Sequence, residues 1–360
     1  MDTIRYDAVI IGGGAAGLSA ATTLARALRS VLVIDSGTPR NAPAAGVHGY
    51  LSRDGVNPLD LLALGNSEVF SYGGTILDGE AVAARRTPSG FEVDLADSRR
   101  VSGRRLLVTT GLTDELPPID GLREQWGKGV VHCPYCHGWE IRGQRIGVLG
   151  TGPLSIHQAL MFRQWSPDIT LFLNNTVEPT DEEWDKLAAR SIRVVEGAVA
   201  SVDAVDGVLA GVTLRQGSPF SLQALAVGSR MEARSVLLES LGLPSQVHPS
   251  GAGRFIETDP MGATAVPGVY AAGNVSNLMA QVITAASEGV MAGARINADL
   301  IEEETRWAVE GRFGPFSAAS EAAAARTVAG GRRHGLEGRY GTRPAAADTP
   351  ARNQAASTVP

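Results

Sequence analysis

The chain has 360 residues, enough for two or three domains at roughly 150 residues each. With 44% hydrophobic and 19% charged residues it can build sizeable cores, which excludes a wholly disordered chain. Its 32 basic and 38 acidic residues leave a net charge of -6, so neither nucleic acid nor an anionic membrane is an expected partner.

Asp2 and Asp7 precede the first apolar run, where a secretory signal needs a net basic segment. No signal peptide is expected. The most apolar stretch, 8–18, is about 11 residues long, against roughly 18–20 for a bilayer span. A soluble, cytoplasmic protein is therefore the expectation. The 43 glycines are spread along the chain, as in α/β proteins whose short strands and helices meet at tight turns.

The pattern predicts a strand at 8–11, a helix to about 28 and a strand at 31–35, a βαβ start. Between the first strand and the helix, Gly12, Gly13, Gly14, Ala15, Ala16 and Gly17 fit G-x-G-x-x-G. Gly12 permits the turn, Gly14 lets a pyrophosphate approach the backbone and Gly17 lets the helix pack closely. The helix start then offers free N–H groups to phosphates. Asp35 lies 18 residues after Gly17, where an acid accepts hydrogen bonds from an adenosine ribose. A glycine turn that serves packing alone is the rival reading. Ser36, Arg40, Asn41 and the stretch 48–50 form a polar loop that could bring His48 near the site.

The only two cysteines, Cys133 and Cys136, stand at C-x-x-C spacing, which suits a cycling disulfide. If the segment turns into a helix there, its free N–H groups would stabilise a thiolate, and His137 could move protons. Three other readings compete: c-type haem attachment, which needs export; a zinc site, which needs four ligands that this chain does not pair up; and inert buried thiols. No metal is expected. His132, His157, His248 and His334 are scattered and read as surface or satisfied core residues.

A second βαβ start is predicted, with a strand at 145–150, a helix to about 164 and a strand at 169–173. Its turn keeps Gly150 and Gly152 but has Pro153 at the helix start and Ser155 in the third glycine position. The second strand runs into Asn174 and Asn175, with neither an acid for a ribose nor an arginine for a 2′-phosphate. The shape is that of a nucleotide-binding domain, while NADPH binding is doubtful; Arg163 or Arg190 could lend charge from elsewhere in the fold. From about 316 the composition shifts to Ala, Gly, Arg, Thr and Pro. A frayed helical extension is expected over 318–329 and disorder over 330–360, with no functional role.

Four motifs in this order, the 12–17 turn, 107–111 (Leu-Val-Thr-Thr-Gly), the Cys133/Cys136 pair, and 266–274 with Gln281 and Val282, resemble the thioredoxin-reductase-like class of FAD-dependent disulfide oxidoreductases. The resemblance covers roughly residues 5–305. It implies an α/β fold with two Rossmann-like domains: a discontinuous FAD-binding domain, 1–114 and 229–310, interrupted by an NAD(P)-like domain, 115–228, that carries the C-x-x-C. Residues 311–360 are then an extension and tail, and the protein a homodimer. It further implies FAD bound by Gly12, Gly14, Ala15, Ala16, Gly17, Asp35, Ser36, Arg40, Asn41, Thr110, Gly111, Gly273, Asn274, Gln281 and Val282. Cys133, Cys136 and His137 are the implied catalytic residues.

Within that class, NADPH-dependent thioredoxin reductases usually carry a His-Arg-Arg type stretch where this chain has Asn174 and Asn175, and an Asp where it has His137. Residues 133–140 (Cys-Pro-Tyr-Cys-His-Gly-Trp-Glu) look more like the dithiol oxidases that close disulfides in small natural products such as holomycin and gliotoxin. In those enzymes electrons run from substrate thiols through the Cys pair to FAD and then to oxygen. The expected function is therefore oxidation of a small-molecule dithiol, with Cys133 meeting substrate, Cys136 beside the flavin and His137 as proton shuttle. The alternatives are an NADPH-dependent reductase of a thioredoxin-like protein and a non-catalytic flavoprotein redox sensor. Asn274 stands where the family often has an Asp on the flavin ribityl chain, and an amide can still hydrogen-bond there.

Overall fold

The computed structural model describes residues 5–312, 314 and 317–329. The disorder expected for 330–360 falls outside them. The chain opens with β1 (Arg5–Ile11), α1 (Ala15–Arg26) and β2 (Val31–Asp35), the predicted βαβ unit, with β1 three residues longer than its apolar run. Helix α2 (Pro58–Ser71) follows, then β3 (Thr75–Asp78), β4 (Ala81–Thr87), β5 (Gly90–Leu95) and β6 (Arg100–Val108).

In the first sheet β1 lies between β2 and β6, parallel to both, and the order is β3-β2-β1-β6-β5-β4. The last residues of β6 pair in parallel with Val269–Ala271, so a strand from late in the chain completes this sheet. Both faces of β1 are buried. Ala8 and Ile10 pack on one side with Ala16, Ala20 and Leu24 of α1; Val9 and Ile11 pack on the other with Val93, Leu237 and Leu238. This is why β1 reads as an unbroken apolar run: successive residues alternate between two covered faces.

A second sheet, wholly parallel, has the order Arg193–Val195, Ile169–Phe172, Ile146–Leu149, Ala224–Val227, Val130–Val131. Its helix is Leu154–Phe162, close to the predicted bounds. A three-stranded antiparallel sheet over residues 199–221 adjoins it in sequence. The two chain crossings between the sheets, Leu112–Glu115 and Arg230–Ala233, pair antiparallel, which binds the outgoing segment to the returning one. The fold is α/β with parallel, Rossmann-like elements in two sheets.

Residues up to 300 form one compact unit. The long helix Val282–Arg312 ends in a second unit, in which a further helix, Ala318–Ala329, forms over the expected extension. Among the described residues no helix is long and apolar enough to cross a membrane.

Candidate active site

The turn after β1 is shaped by its glycines. Gly12 has φ +105°, and a Cβ there would stand 2.5 Å from the Thr109 carbonyl oxygen. A Cβ on Gly17 would fall 1.9 Å from the Gly12 oxygen, so α1 can pack on the turn only without one. Gly14 differs: a Cβ there meets nothing within 4 Å, because this backbone faces a cavity. A cradle with room above it suits a pyrophosphate. Asp35 accepts from the Gly13 N–H at 3.0 Å, and its other oxygen has no partner among the described residues. Thr109, part of the 107–111 motif but not among the nominated site residues, ties the turn to the neighbouring strand by donating to the carbonyls of Ile11 (3.0 Å) and Gly12 (2.8 Å).

The cavity is about 2020 Å³, roughly twice the upper end for a single small-molecule site. It brings together nearly every residue the sequence nominated: Gly12, Gly14, Ala15, Ala16, Asp35, Ser36, Arg40, Asn41, Thr110, Gly111, Gly273, Asn274, Gln281 and Val282 line it with Cys133, Cys136 and His137. Gly17 does not, since it faces the turn's own backbone. His48 lines it too, 3.5 Å from Asp54 on one ring nitrogen and 3.5 Å from Glu140 on the other.

Several of these side chains are already engaged. Arg40 makes a two-pronged contact with Asp114, both bonds 2.7 Å, and Ser229 donates to the same carboxylate at 2.6 Å. Burial alone would raise the Asp114 carboxyl, but Arg40 and Ser229 hold it below the ordinary value. Arg40 thus braces the chain crossing, a role that sequence reading, which missed Asp114 and Ser229, did not foresee. Asn274 donates its amide to the carbonyls of Asn277 (3.0 Å) and Ala280 (2.9 Å). An aspartate could not donate there, which accounts for the amide and leaves only the side-chain oxygen for another partner. The Gly273 N–H donates to Glu288, and Thr110 donates to the Arg234 carbonyl across the paired crossings.

Cys133 and Cys136 form a disulfide, with Cα atoms 5.3 Å apart. The expected helix is a single turn, Pro134–His137. Pro134 has no N–H, and those of Cys136 and His137 both donate to the Cys133 carbonyl, so the thiolate stabilisation expected from free helical N–H groups is largely absent. Histidines flank the pair instead. His132, taken from sequence as uninformative, is half-buried against the Val227 carbonyl (3.1 Å), and desolvation lowers its imidazole. His137 is also lowered, chiefly by burial, with the Glu140 carboxylate pulling the other way. Its Nδ1 is buried with no partner in hydrogen-bond geometry among the described residues. A buried nitrogen left unpaired is costly, and the Cys133 backbone is a polar group that acts on this ring.

The second glycine turn is partly tied up by its own residues, although Gly152 lines the cavity and a Cβ there would meet nothing within 4 Å. Ser155 is buried, and its hydroxyl oxygen accepts from the Thr151 N–H at 3.0 Å. Asn174 is occupied, donating to the Gly150 carbonyl (3.1 Å) and accepting from the Val199 N–H (2.9 Å). Arg163 donates to the carbonyls of Arg190 and Ser166 and does not line the cavity; neither does Arg190. Among the described residues no cluster of His, Cys, Asp or Glu could hold a metal.

A glycine-rich dinucleotide cradle and a C-x-x-C disulfide opening on one cavity define a nucleotide-dependent disulfide oxidoreductase. The chain belongs to the pyridine nucleotide-disulphide oxidoreductase family, which matches residues 6–289. It is an enzyme of this class, and its cofactor is FAD. Thioredoxin reductase tcpT of Claviceps purpurea (strain 20.1) is 33% identical over 308 residues, 82% of this chain and 95% of that protein. Thioredoxin reductase sirT of Leptosphaeria maculans is 31% identical over 310 residues, 81% and 93% of the respective chains. The crystal structure of HlmI superposes with a TM-score of 0.79 at 43% identity, covering 89% of this chain and 97% of that one. An oxidoreductase from Agrobacterium tumefaciens gives 0.78 at 36% identity, covering 83% and 99%.

Proposed function

We propose that the protein is a dithiol oxidase that closes a disulfide in a small-molecule substrate with oxygen as the final electron acceptor. The observation that carries this reading is the Cys133–Cys136 disulfide sharing one cavity with the open Gly14 cradle and the unpaired Nδ1 of His137. A substrate thiolate attacks the sulfur of Cys133, breaking the enzyme disulfide and releasing Cys136 as a thiolate. The second substrate thiol then attacks the substrate sulfur held on Cys133. A substrate disulfide leaves, both enzyme cysteines are reduced, and two electrons have entered the pair. The two substrate protons pass to His137 and the departing thiolates. FAD, which the 12–17 turn and Asp35 would hold, would supply the two-electron acceptor for the reduced pair, with oxygen as the final acceptor and hydrogen peroxide as its product. The discontinuous domain division, 1–114 with 229–310 around 115–228, belongs to this reading.

His137 accepts a proton only in its neutral form, and burial holds its imidazole below the ordinary 6.5. The acid limb of kcat/KM is therefore expected below pH 6.5. His137→Asn should lower kcat on the order of a hundredfold and remove that limb. An acid limb above pH 6.5 in the wild type, or an unchanged profile in the variant, would contradict the assignment.

The second reading, an NADPH-dependent thioredoxin reductase, is favoured by the names of the relatives. Against it, a 2′-phosphate needs arginine or lysine in close contact. Here the second turn satisfies its own Thr151 N–H, and Asn174 is consumed by backbone. Stopped-flow mixing with NADPH under nitrogen separates the two. Slow or absent flavin bleaching is expected, with fast bleaching by a dithiol and recovery in air. Rapid bleaching at micromolar NADPH would promote the reductase.

A further inference from the structure

The charged residues that line the cavity all come from outside the stretch 127–161. Its three arginines, Arg40, Arg230 and Arg234, lie outside the stretch 127–161 and are engaged, by Asp114, Glu232, and Thr113 with the Thr38 carbonyl respectively. Residues 127–161 contribute to the lining no Asp, Glu, Lys or Arg. Much of this uncharged wall is one helix face. Leu154, His157 and Met161 follow at i, i+3 and i+7 on the helix Leu154–Phe162 and all reach the cavity. Gln158, on the same face, donates to the His132 carbonyl at 2.9 Å, which fixes the helix against the residue preceding Cys133. Tyr135, between the two cysteines, meets Trp165 edge-on at 5.8 Å just beyond the helix end. Leu154 is 56% exposed and Tyr135 68%, apolar surface that faces the same space as the disulfide.

We propose that Tyr135, Leu154, His157 and Met161 are the specificity-determining wall for the dithiol, taking an uncharged, largely apolar body while its two sulfurs meet the Cys pair. The body packs on Leu154, Met161 and the Tyr135 ring. His157, which has no partner among the described residues, supplies a hydrogen bond to a polar group on it. A charged body would have to give up water against a wall with no countercharge. This inference rests on the dithiol reading above.

Dihydrolipoamide and dihydrolipoate test it, since they share one dithiol and one carbon chain and differ in charge at the far end. Dithiothreitol, which has no chain, is the control for that reading. In the wild type, oxygen-dependent kcat/KM for dihydrolipoamide should exceed that for dihydrolipoate about tenfold, mainly through KM. Leu154→Lys should bring the ratio to one or below, and Leu154→Asp should widen it. Position 154 is exposed enough at the helix start to accept both, and circular dichroism checks the fold. Equal kcat/KM in the wild type, a ratio unmoved by either variant, or dihydrolipoamide slower than dithiothreitol would overturn the wall. If dithiothreitol itself fails to bleach the flavin under nitrogen, the oxidase reading falls and the wall with it.

Discussion

A Gly14→Val protein is expected to fold normally and to purify without colour. Gly14 has φ −76° and ψ −175°, extended backbone that valine adopts without strain, and its Cβ would touch no protein atom within 4 Å. Replacing this glycine should even favour the apoprotein, by about 0.5 kcal/mol, through a less flexible unfolded chain. The side chain would instead fill the space over the turn where the pyrophosphate of FAD has to lie. Wild-type protein at FAD a hundredfold above its Kd gains about 2.7 kcal/mol, a rise of several degrees in Tm. The variant should show no rise. Gly17→Ala is the contrasting control, because its Cβ would be forced onto the Gly12 oxygen and cost about 3 kcal/mol of folding stability whether or not FAD is added. Yellow Gly14→Val protein with an FAD-dependent Tm would remove this turn from the cofactor site.

Cys133→Ser and Cys136→Ser should each lower turnover at least a thousandfold, because neither remaining thiol can return two electrons by forming the pair's disulfide. The two variants should differ in spectrum. Reduced with dithiothreitol under nitrogen, Cys133→Ser should develop a long-wavelength absorbance band from the Cys136 thiolate lying against the flavin, and Cys136→Ser should not. In Cys136→Ser the lone Cys133 should instead be trapped by the disulfide of a monothiol as a mixed disulfide, seen as a mass increase, because no second thiol is present to expel it. The reversed pattern would exchange the two roles. Substantial activity in either variant would remove the pair from the reaction. Structural inertness of the thiols, one of the readings open from sequence, is tested by the same pair of proteins.

How much of the site could be read in advance differs from residue to residue. The 12–17 turn, Asp35 and the C-x-x-C are local patterns, and each of their residue types is demanded by geometry within a few positions. His137 was nominated by adjacency to Cys136, although the reason expected for thiol activation, free N–H groups of a helix, gave way to a proline and a closed turn. His132 carried no signal, since its burial comes from strand partners far along the chain. Asn174 was noted for what it lacks, a charge, whereas its amide is what joins the Gly150 carbonyl to the Val199 N–H.

By itself the sequence determined the βαβ start, the glycine turn, the C-x-x-C pair and the family, because alternation of apolar residues and the φ freedom of glycine act over a few residues at a time. Tertiary structure decided which surfaces meet. Arg40 faces Asp114 across 74 positions, Ser229 reaches the same carboxylate across 115, and the strand Val269–Ala271 returns to the sheet begun by β1. It also decided that Ser155 takes up the Thr151 N–H of the second turn and that Leu154, His157 and Met161 line the same cavity as the Cys pair. Local pattern cannot set such contacts: a side chain's charge or polarity is visible in the sequence, but the partner that uses it, or leaves it to a ligand, is set by the packing of distant segments.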